Sequence, residues 1–233
     1  MNLARLRLAG ALLGLLASTL SVTAADRRLR EAEALLERIT VHFEALQADP
    51  ERRIPPEILR EAKGLFVVRE TRAGLIFGGK GGAGVLLLKR PDGWGAPFIY
   101  RVREGGVGLQ AGWQTATFAQ LLMTDAAVAA VRTNRFRMGV GLRITSGPRS
   151  VGDEAKTRSP GSDVLVYTDA GGLFGGAALE GGTLTPDDRA NAALYGPAAE
   201  PATGGEATAL TPSVAGKALI ALVERASRGE GGP

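Results

Sequence analysis

Cysteine is absent from this 233-residue chain, and histidine occurs once. Without cysteine the chain can form no disulfide, perform no thiol catalysis and offer no N-terminal cysteine for acylation. The single histidine, His42, leaves little from which to build a histidine metal site or a catalytic triad. Four serines lie in or beside one polar stretch, residues 146–162, and the chain has no Gly-x-Ser-x-Gly motif. These absences argue against thiol, serine and histidine-dependent catalysis.

The excess of positive over negative charge is also small. The formal net charge is +4, and it falls to +2 if a leader containing Arg5 and Arg7 is removed. Nucleic-acid binding would favour a clustered basic face with aromatic stacking residues, which this weak excess does not provide. We therefore expect no nucleic-acid partner.

The N-terminus has the features of a secretory signal peptide. Arg5 and Arg7 precede an apolar run over residues 8–20, and small residues follow up to Ala25. The apolar run is short for a membrane span, with an uncleaved anchor as the alternative. The pattern predicts a signal peptide at residues 1–25 and a periplasmic or secreted protein, with peripheral attachment to a membrane as a further option.

Glycine is abundant, and its densest cluster surrounds Lys80. Five glycines between residues 78 and 84 precede the apolar run at residues 85–88, which predicts a strand buried on both faces. Gly74, Gly79 and Lys80 fit the start of a phosphate-binding loop, but Gly81 stands where that loop needs Ser or Thr. Strand-like residues on both sides favour a glycine-rich hairpin or bulge instead.

Residues 26–47 have apolar side chains at every third or fourth position, which predicts an amphipathic helix with Asp26 as its N-cap. The polar face mixes Arg27, Arg28 and Arg30 with several glutamates. Two interpretations remain open. The helix docks its apolar side on the domain core, or it contacts lipid, although interfacial helices usually have a cationic polar face.

The rest of the chain reads as strands separated by turns, with a few helices. A short helix is predicted from Pro56 to Lys63, a turn at residues 104–106, and helices capped by Asp125 and Thr185. Trp94 is expected to be buried rather than to stack on a ligand. The predicted strands cover residues 65–68, 85–88, 98–102, 107–114, 136–144, 163–169 and 173–179.

This pattern predicts an α+β fold. A glycine-rich, mainly antiparallel sheet is expected to curl into a sandwich or partial barrel, covered by helices from both ends of the chain. The predicted domain covers residues 26–196, residues 197–212 form a flexible linker, and residues 213–228 form a helix that packs back on the domain.

Seven motifs occur in one colinear order between residues 54 and 196: IPPEILREAKGLFVV, GLIFGGKGGAGVLL, GWGAPFIY, VGLQAGWQ, LLMTDAAV, GLFGGAALEG and DDRANAALYG. Together they resemble the SYLF domain, also called the Ysc84 family. In that family the better-studied eukaryotic members bind phosphoinositides and other anionic lipids, and some bind actin filaments. The resemblance therefore implies a lipid-binding protein.

We expect a noncatalytic lipid-binding protein of the bacterial cell envelope that recognises anionic, phosphoinositide-like headgroups, without a cofactor or a metal. In an exported protein the lipid would be phosphatidylglycerol, cardiolipin or lipopolysaccharide, and actin is not an expected partner. The candidate lipid contacts are all cationic: Lys80, Arg27, Arg28, Arg30, Arg149, Lys156 and Arg158.

Two other functions stay open. An envelope scaffold would bind a protein partner through a smooth strand face made of Gly108, Gln110, Gly112 and Gln114. A hydrolase would pair Glu180 with Asp187 or Asp188. The simpler interpretation is that the two aspartates complement a helix dipole and that Glu180 pairs with Lys63, Lys80 or an arginine. No EF-hand pattern supports calcium at these acids.

Overall fold

The computed structural model describes residues 3–74, 77–107, 112–132, 136–137, 142–147, 161–169, 183–197, 199 and 210–230. Five helices lie within them: α1 (Leu3–Ala48), α2 (Pro56–Glu61), α3 (Asp125–Arg132), α4 (Asp188–Tyr195) and α5 (Val214–Arg228). Nine strands accompany them: β1 (Gly64–Gly74), β2 (Phe77–Arg90), β3 (Gly93–Trp94), β4 (Phe98–Val107), β5 (Gly112–Leu122), β6 (Phe136–Arg137), β7 (Ile144–Ser146), β8 (Val164–Thr168) and β9 (Thr183–Pro186).

The strands form one mixed sheet in the order β6-β9-β4-β2-β1-β5-β8-β7, with β3 paired to β2 outside this order. All pairs are antiparallel except β7 with β8. The predicted α+β class and the mainly antiparallel sheet are confirmed. Within the described residues the sheet is open, because β6 and β7 lie at its two ends and do not pair, so it does not close into a barrel.

The centre of the sheet is buried on both faces. Alternate residues of one strand enter different hydrophobic clusters, because successive side chains point to opposite sides. Leu65 and Val67 pack with α1, α2 and α5, whereas Phe66 and Val68 pack on the side of α3. The predicted burial of residues 85–88 on both faces is confirmed in the same way.

β1 and β2 form the glycine-rich hairpin that the sequence favours, with Gly74 opposite Gly78. Two of its glycines are required by close backbone approach. A Cβ at Gly82 would lie 2.4 Å from the carbonyl oxygen of Arg69, and one at Gly84 would lie 2.7 Å from the carbonyl oxygen of Val67. At these two positions glycine lets the neighbouring strand and side chains approach closely, as expected of a packing device.

The apolar side of α1 docks on the domain core. Ala32, Leu36, Ile39, Phe43 and Leu46 are all buried there. This confirms the amphipathic pattern and the core-docking interpretation of the helix. Asp26 is not an N-cap, since α1 is continuous from Leu3 to Ala48.

Three predicted elements are divided differently. Residues 104–106 are not a turn but belong to β4, because Glu104 and Gly106 continue the ladder with β2. Of residues 107–114, Val107 pairs with β2 as part of β4 and Gly112 pairs with β1 as part of β5, while residues 108–111 lie outside the described residues. Residues 136–144 are not one strand, because β6 pairs with β9 and β7 pairs with β8 at the other end of the sheet.

Three predicted helix ends are also corrected. The second helix ends at Glu61, before Lys63, and Gly64 already belongs to β1. The hydroxyl of Thr124, rather than Asp125, accepts a hydrogen bond from the amide of Ala127 at the start of α3. Residues 183–186 form β9, an unpredicted strand, so Asp187 caps α4 in place of Thr185.

The C-terminal helix α5 contributes to the core on the α1 side of the sheet. Leu219 and Val223 are fully buried, and Leu222 and Ala226 are nearly so. Ser213 caps the helix by accepting a hydrogen bond from the amide of Gly216. Most of the predicted linker lies outside the described residues. The limits of the signal peptide and of the linker stay predictions.

Candidate functional site

The N-terminal part of α1 that follows Ala24 carries three exposed arginines. Arg27, Arg28 and Arg30 face solvent, and Ala32 is the first buried residue after them. Nε of Arg27 lies 3.8 Å from Oε1 of Glu31, and both side chains are well exposed. Such a pair is weak in water. Within the described residues, the arginines are therefore positioned to meet an external anion.

Lys80 lies within β2, with Arg72 of β1 opposite it on one side and Glu104 of β4 on the other. The strand continues through Lys80 to Arg90 instead of turning into a helix. A phosphate-binding loop needs a helix at this point, so the lysine is not part of one. The register also places Lys80 in a row of charged residues rather than among glycines alone.

The remaining predicted lipid contacts, Arg149, Lys156 and Arg158, lie outside the described residues, as does Glu180. Gly108 and Gln110 of the proposed smooth face also lie outside them. Gly112 and Gln114 belong to β5. The described residues therefore do not test the basic loop or the complete scaffold face.

Asp187 has a structural role in the described residues. Its Oδ1 accepts a hydrogen bond from the amide of Ala190, and its Oδ2 lies 2.6 Å from Nε of Arg101. The carboxylate caps α4 and binds a cation at the same time, as expected for an acid at a helix N-terminus. This geometry supports the structural interpretation of Asp187 over a catalytic one.

His42 contacts a cation rather than a carboxylate. Nη1 of Arg69 lies 2.7 Å from Nε2 and 3.0 Å from Nδ1 of the ring. Burial lowers the pKa of His42, and the positive charges of Arg69 and Arg38 lower it further, while Asp169 partly opposes them. A neutral ring that accepts a hydrogen bond from arginine is unsuited to donate a proton. His42 therefore links α1 to β1 through its contact with Arg69.

A pocket of about 510 Å³ opens at the end of the sheet where β1 begins and β2 ends. Its walls come from the C-terminal end of α2, the end of β2 and one side of α3. Its ionisable lining residues are four cations and two acids: Lys63, Lys89, Arg90, Arg132, Glu61 and Asp125. Cations thus exceed acids by two, and the pocket has the composition of an anion site.

Contacts with neighbouring elements position two of the cations in this pocket. Nζ of Lys63 lies 2.6 Å from Oδ2 of Asp125 in α3. Nζ of Lys89 donates to the carbonyl oxygen of Arg60 at 2.5 Å and lies 5.4 Å from the ring centroid of Trp94. Trp94 is buried, as predicted. Burial, followed by the charge of Arg60, lowers the pKa of Lys89.

Sequence reasoning missed this pocket as a site. The sequence suggests Lys63 only as a partner for Glu180, whereas in the structure it pairs with Asp125. One signal was available. Once residues 64–90 are interpreted as a hairpin, Lys63 before the first strand must adjoin Lys89 and Arg90 at the end of the second. The contribution of Arg132 depends on the docking of α3, which no local pattern reveals.

The fold defines an α+β domain with a mainly antiparallel sheet that is open within the described residues and is covered by helices from both ends of the chain. The sequence profile described as Ysc84, Las17-binding protein actin regulator, matches residues 103–225. This match covers more than half of the chain, and the chain belongs to the Ysc84 family. The family that the motifs resemble is thereby confirmed.

Relatives of this chain occur in fungi and animals. It is 32% identical over 148 residues to LAS seventeen-binding protein 3 of Saccharomyces cerevisiae, which covers 61% of this chain and 32% of the relative. It is 30% identical over 150 residues to SH3 domain-containing YSC84-like protein 1 of Homo sapiens, covering 63% and 44%. The chain therefore spans less than half the length of these relatives. No solved structure matches it.

Proposed function

We propose that this protein is a noncatalytic lipid-binding protein of the bacterial cell envelope that recognises anionic headgroups after export by its N-terminal signal peptide. The observation that carries the proposal is the exposed cluster of Arg27, Arg28 and Arg30 on a helix whose apolar side is buried. The helix would meet a membrane with its charges and not by inserting its apolar side. Resemblance to lipid-binding SYLF proteins supports the same function.

Among the helices of the described residues, none is both long enough and apolar enough to cross a bilayer. In the proposed mechanism, attachment is electrostatic and sensitive to salt, because surface charges are screened within about 10 Å at 0.1 M salt.

Vesicle flotation tests the proposal. The chain without residues 1–25 should float with phosphatidylcholine vesicles containing phosphatidylglycerol or cardiolipin, and should remain at the bottom with phosphatidylcholine alone. Replacement of Arg27, Arg28 and Arg30 by Gln should reduce flotation. The matched control replaces three exposed cations elsewhere by Gln: Arg189, Lys217 and Arg225.

Equal failure to float with anionic and neutral vesicles would remove the lipid function. Flotation that falls equally in the two triple variants would show that net charge, rather than the α1 cluster, attaches the protein. For the compartment, the expected outcome is recovery of a shortened chain in the periplasmic fraction. A full-length chain in the cytoplasm would contradict export.

A protein partner is the second candidate function. The family description names Las17 binding and actin regulation, and a yeast relative is named as a binding protein. An envelope protein is the corresponding partner for an exported chain. Stoichiometric recovery of one partner from detergent-solubilised envelope extract, independent of added lipid, would favour this function over the first.

A further inference from the structure

The pocket between α2, the end of β2 and α3 has features that a plain surface groove lacks. Its cations come from three separate segments of the chain: Lys63 follows α2, Lys89 and Arg90 end β2, and Arg132 ends α3. Backbone hydrogen bonds hold these segments together. The amide of Lys63 donates to the carbonyl oxygen of Leu122, and the amide of Lys89 donates to the carbonyl oxygen of Lys63. The site is therefore built by the tertiary fold.

The ion pair between Lys63 and Asp125 is open to solvent, so a bound anion could replace Asp125 as the partner of Lys63. Asp125 is its partner at 2.6 Å, but the carboxylate side chain is 88% exposed and the lysine side chain is 44% exposed. A pair so open to water contributes little to stability. A doubly charged anion inside the pocket would compete with Asp125 at small cost.

Contacts with Arg60 and Trp94 hold Lys89 in place, and within the described part of the chain it forms no ion pair with a carboxylate. Its ammonium group donates to a carbonyl oxygen and lies near the ring of Trp94, and its pKa is lowered first by burial and then by the charge of Arg60. A partly buried cation beside another cation is stabilised when an anion binds. The arrangement therefore favours a negatively charged ligand over a neutral one.

The rest of the wall is apolar, with Leu88 and Val128 among its residues. A ligand that fits this combination has a compact anionic group attached to a short carbon skeleton. The lining residues carry an excess of two positive charges, with Nε of Arg90 also 3.3 Å from Oδ1 of the exposed Asp92 beside the pocket. A phosphomonoester, which carries about 1.5 to 2 negative charges at neutral pH, matches this excess. Arginine and lysine together supply the charge-assisted donors that phosphate oxygens accept.

We propose that this pocket binds the terminal phosphate of a phosphomonoester, with Lys63, Lys89, Arg90 and Arg132 as its donors. The phosphate belongs either to a lipid headgroup or to a soluble sugar or glycerol phosphate. The lipid source rests on the proposed function, whereas the soluble source does not.

The soluble arm uses glycerol 3-phosphate and the whole chain without residues 1–25. Titration followed by NMR should shift the amide signals of Lys63, Lys89 and Arg132. Calorimetry should show binding weakened at least about tenfold in the double variant Lys63→Gln, Arg90→Gln, because two charge-assisted donors are lost. The matched control is the double variant Arg189→Gln, Lys217→Gln, which removes two exposed cations elsewhere.

The lipid arm compares phosphatidylcholine vesicles that contain phosphatidic acid, a phosphomonoester, with vesicles that contain phosphatidylserine, a phosphodiester. The wild-type chain should prefer phosphatidic acid, and the pocket variant should lose that preference while the control variant keeps it. Thermal unfolding of both variants verifies folding. The NMR shifts need no substitution, so they decide the matter if the pocket variant is unstable.

The outcomes separate the two proposals. Binding of glycerol 3-phosphate at the pocket without flotation on any anionic vesicle would retain the pocket and remove the lipid function. Flotation without pocket shifts, and without preference for phosphatidic acid, would overturn the pocket assignment and retain the lipid function.

Discussion

Gly84 occupies a position in β2 where a side chain has no space. A Cβ there would lie 2.7 Å from the ring of Phe66 and 2.8 Å from the Cβ of Val68. We expect Gly84→Ala to lower the free energy of unfolding by about 1–3 kcal/mol, since overpacking displaces the neighbours. Chemical denaturation measures the difference.

Gly81 provides the matched control on the same strand. A Cβ there would only approach the carbonyl oxygen of Val102 at 3.6 Å, an ordinary contact. Gly81→Ala should leave stability unchanged or raise it by about 0.5 kcal/mol, because alanine restricts the unfolded chain. Equal losses in both variants would show that glycine is needed for strand geometry in general and not for close approach at Gly84.

His42 should make stability depend on pH in a narrow window. Its pKa is lowered in the folded protein, first by burial and then by Arg69 and Arg38, with Asp169 opposing. As the pH falls through about 6.5, the unfolded chain takes up a proton that the folded chain resists, so stability falls. Because the chain has one histidine, His42→Gln should flatten the decline between about pH 7.5 and 5.5.

The measurement is the free energy of unfolding in urea at several pH values. Asp163 contributes at lower pH. The pKa of Asp163 is lowered by hydrogen bonds from the amide of Arg143 and the hydroxyl of Thr124, so its contribution is lost only as pH falls through and below about 4. A decline above pH 5.5 that survives His42→Gln would contradict the assignment.

At the level of single residues, sequence reasoning identified kinds of residue better than exact positions. It expected a cap near Asp125 and another near Thr185, and the caps are Thr124 and Asp187. Neighbouring polar residues have similar capping propensity, and the choice between them depends on where the preceding strand ends. That end is set by pairing with strands distant in sequence.

Among the elements, α1 is where stability and membrane contact can be separated. Phe43 is fully buried on the core side, whereas Val41 is 61% exposed. Phe43→Ala should lower the free energy of unfolding by about 3–5 kcal/mol, as large-to-small core substitutions do. Val41→Ala should change it by less than about 0.5 kcal/mol.

Thermal or chemical unfolding of the two variants tests this, with flotation measured in parallel. If Phe43→Ala left stability intact but abolished flotation, the apolar side of α1 would face the membrane and not the core. The expected result is the reverse, with flotation reduced only by changes to the arginine cluster.

Strand cores could be predicted from the sequence, but strand lengths could not. The apolar runs at residues 65–68 and 85–88 mark β1 and β2 because burial on both faces leaves a continuous hydrophobic signal. Beyond these runs the same strands contain glycine and charge, which locally resemble turns. These segments are extended strands because Gly78 of β2 pairs with Gly74 of β1 on one side and with Gly106 of β4 on the other. Such pairing between strands cannot be recognised from the local sequence.

At the scale of the whole molecule, the C-terminal helix belongs to the cooperative unit. The family match reaches residue 225, and α5 buries Leu219 and Val223 against the core. A chain ending at residue 212 should therefore lose cooperative thermal unfolding, because the apolar sides of α1 and α2 that α5 covers would be exposed. A chain ending at residue 230 is the control and should unfold as the full chain does.

Circular dichroism during heating measures both chains. A sharp transition in the shorter chain, at an unchanged midpoint, would show that α5 is an appendage.

The candidate site illustrates the same dependence on tertiary structure. Lys89 and Arg132 are separated by more than 40 residues, and only the docking of α3 beside the end of β2 brings them to one pocket.

The strand order has a consequence for synthesis on the ribosome. β1 lies between β2 and β5, so its second edge is covered only after residue 122 has been made. Until then, a nascent chain presents a row of unpaired amides and carbonyls along a strongly apolar strand, which is a template for aggregation. Translation pauses before that point should therefore increase the demand for chaperones, whereas later pauses should matter less.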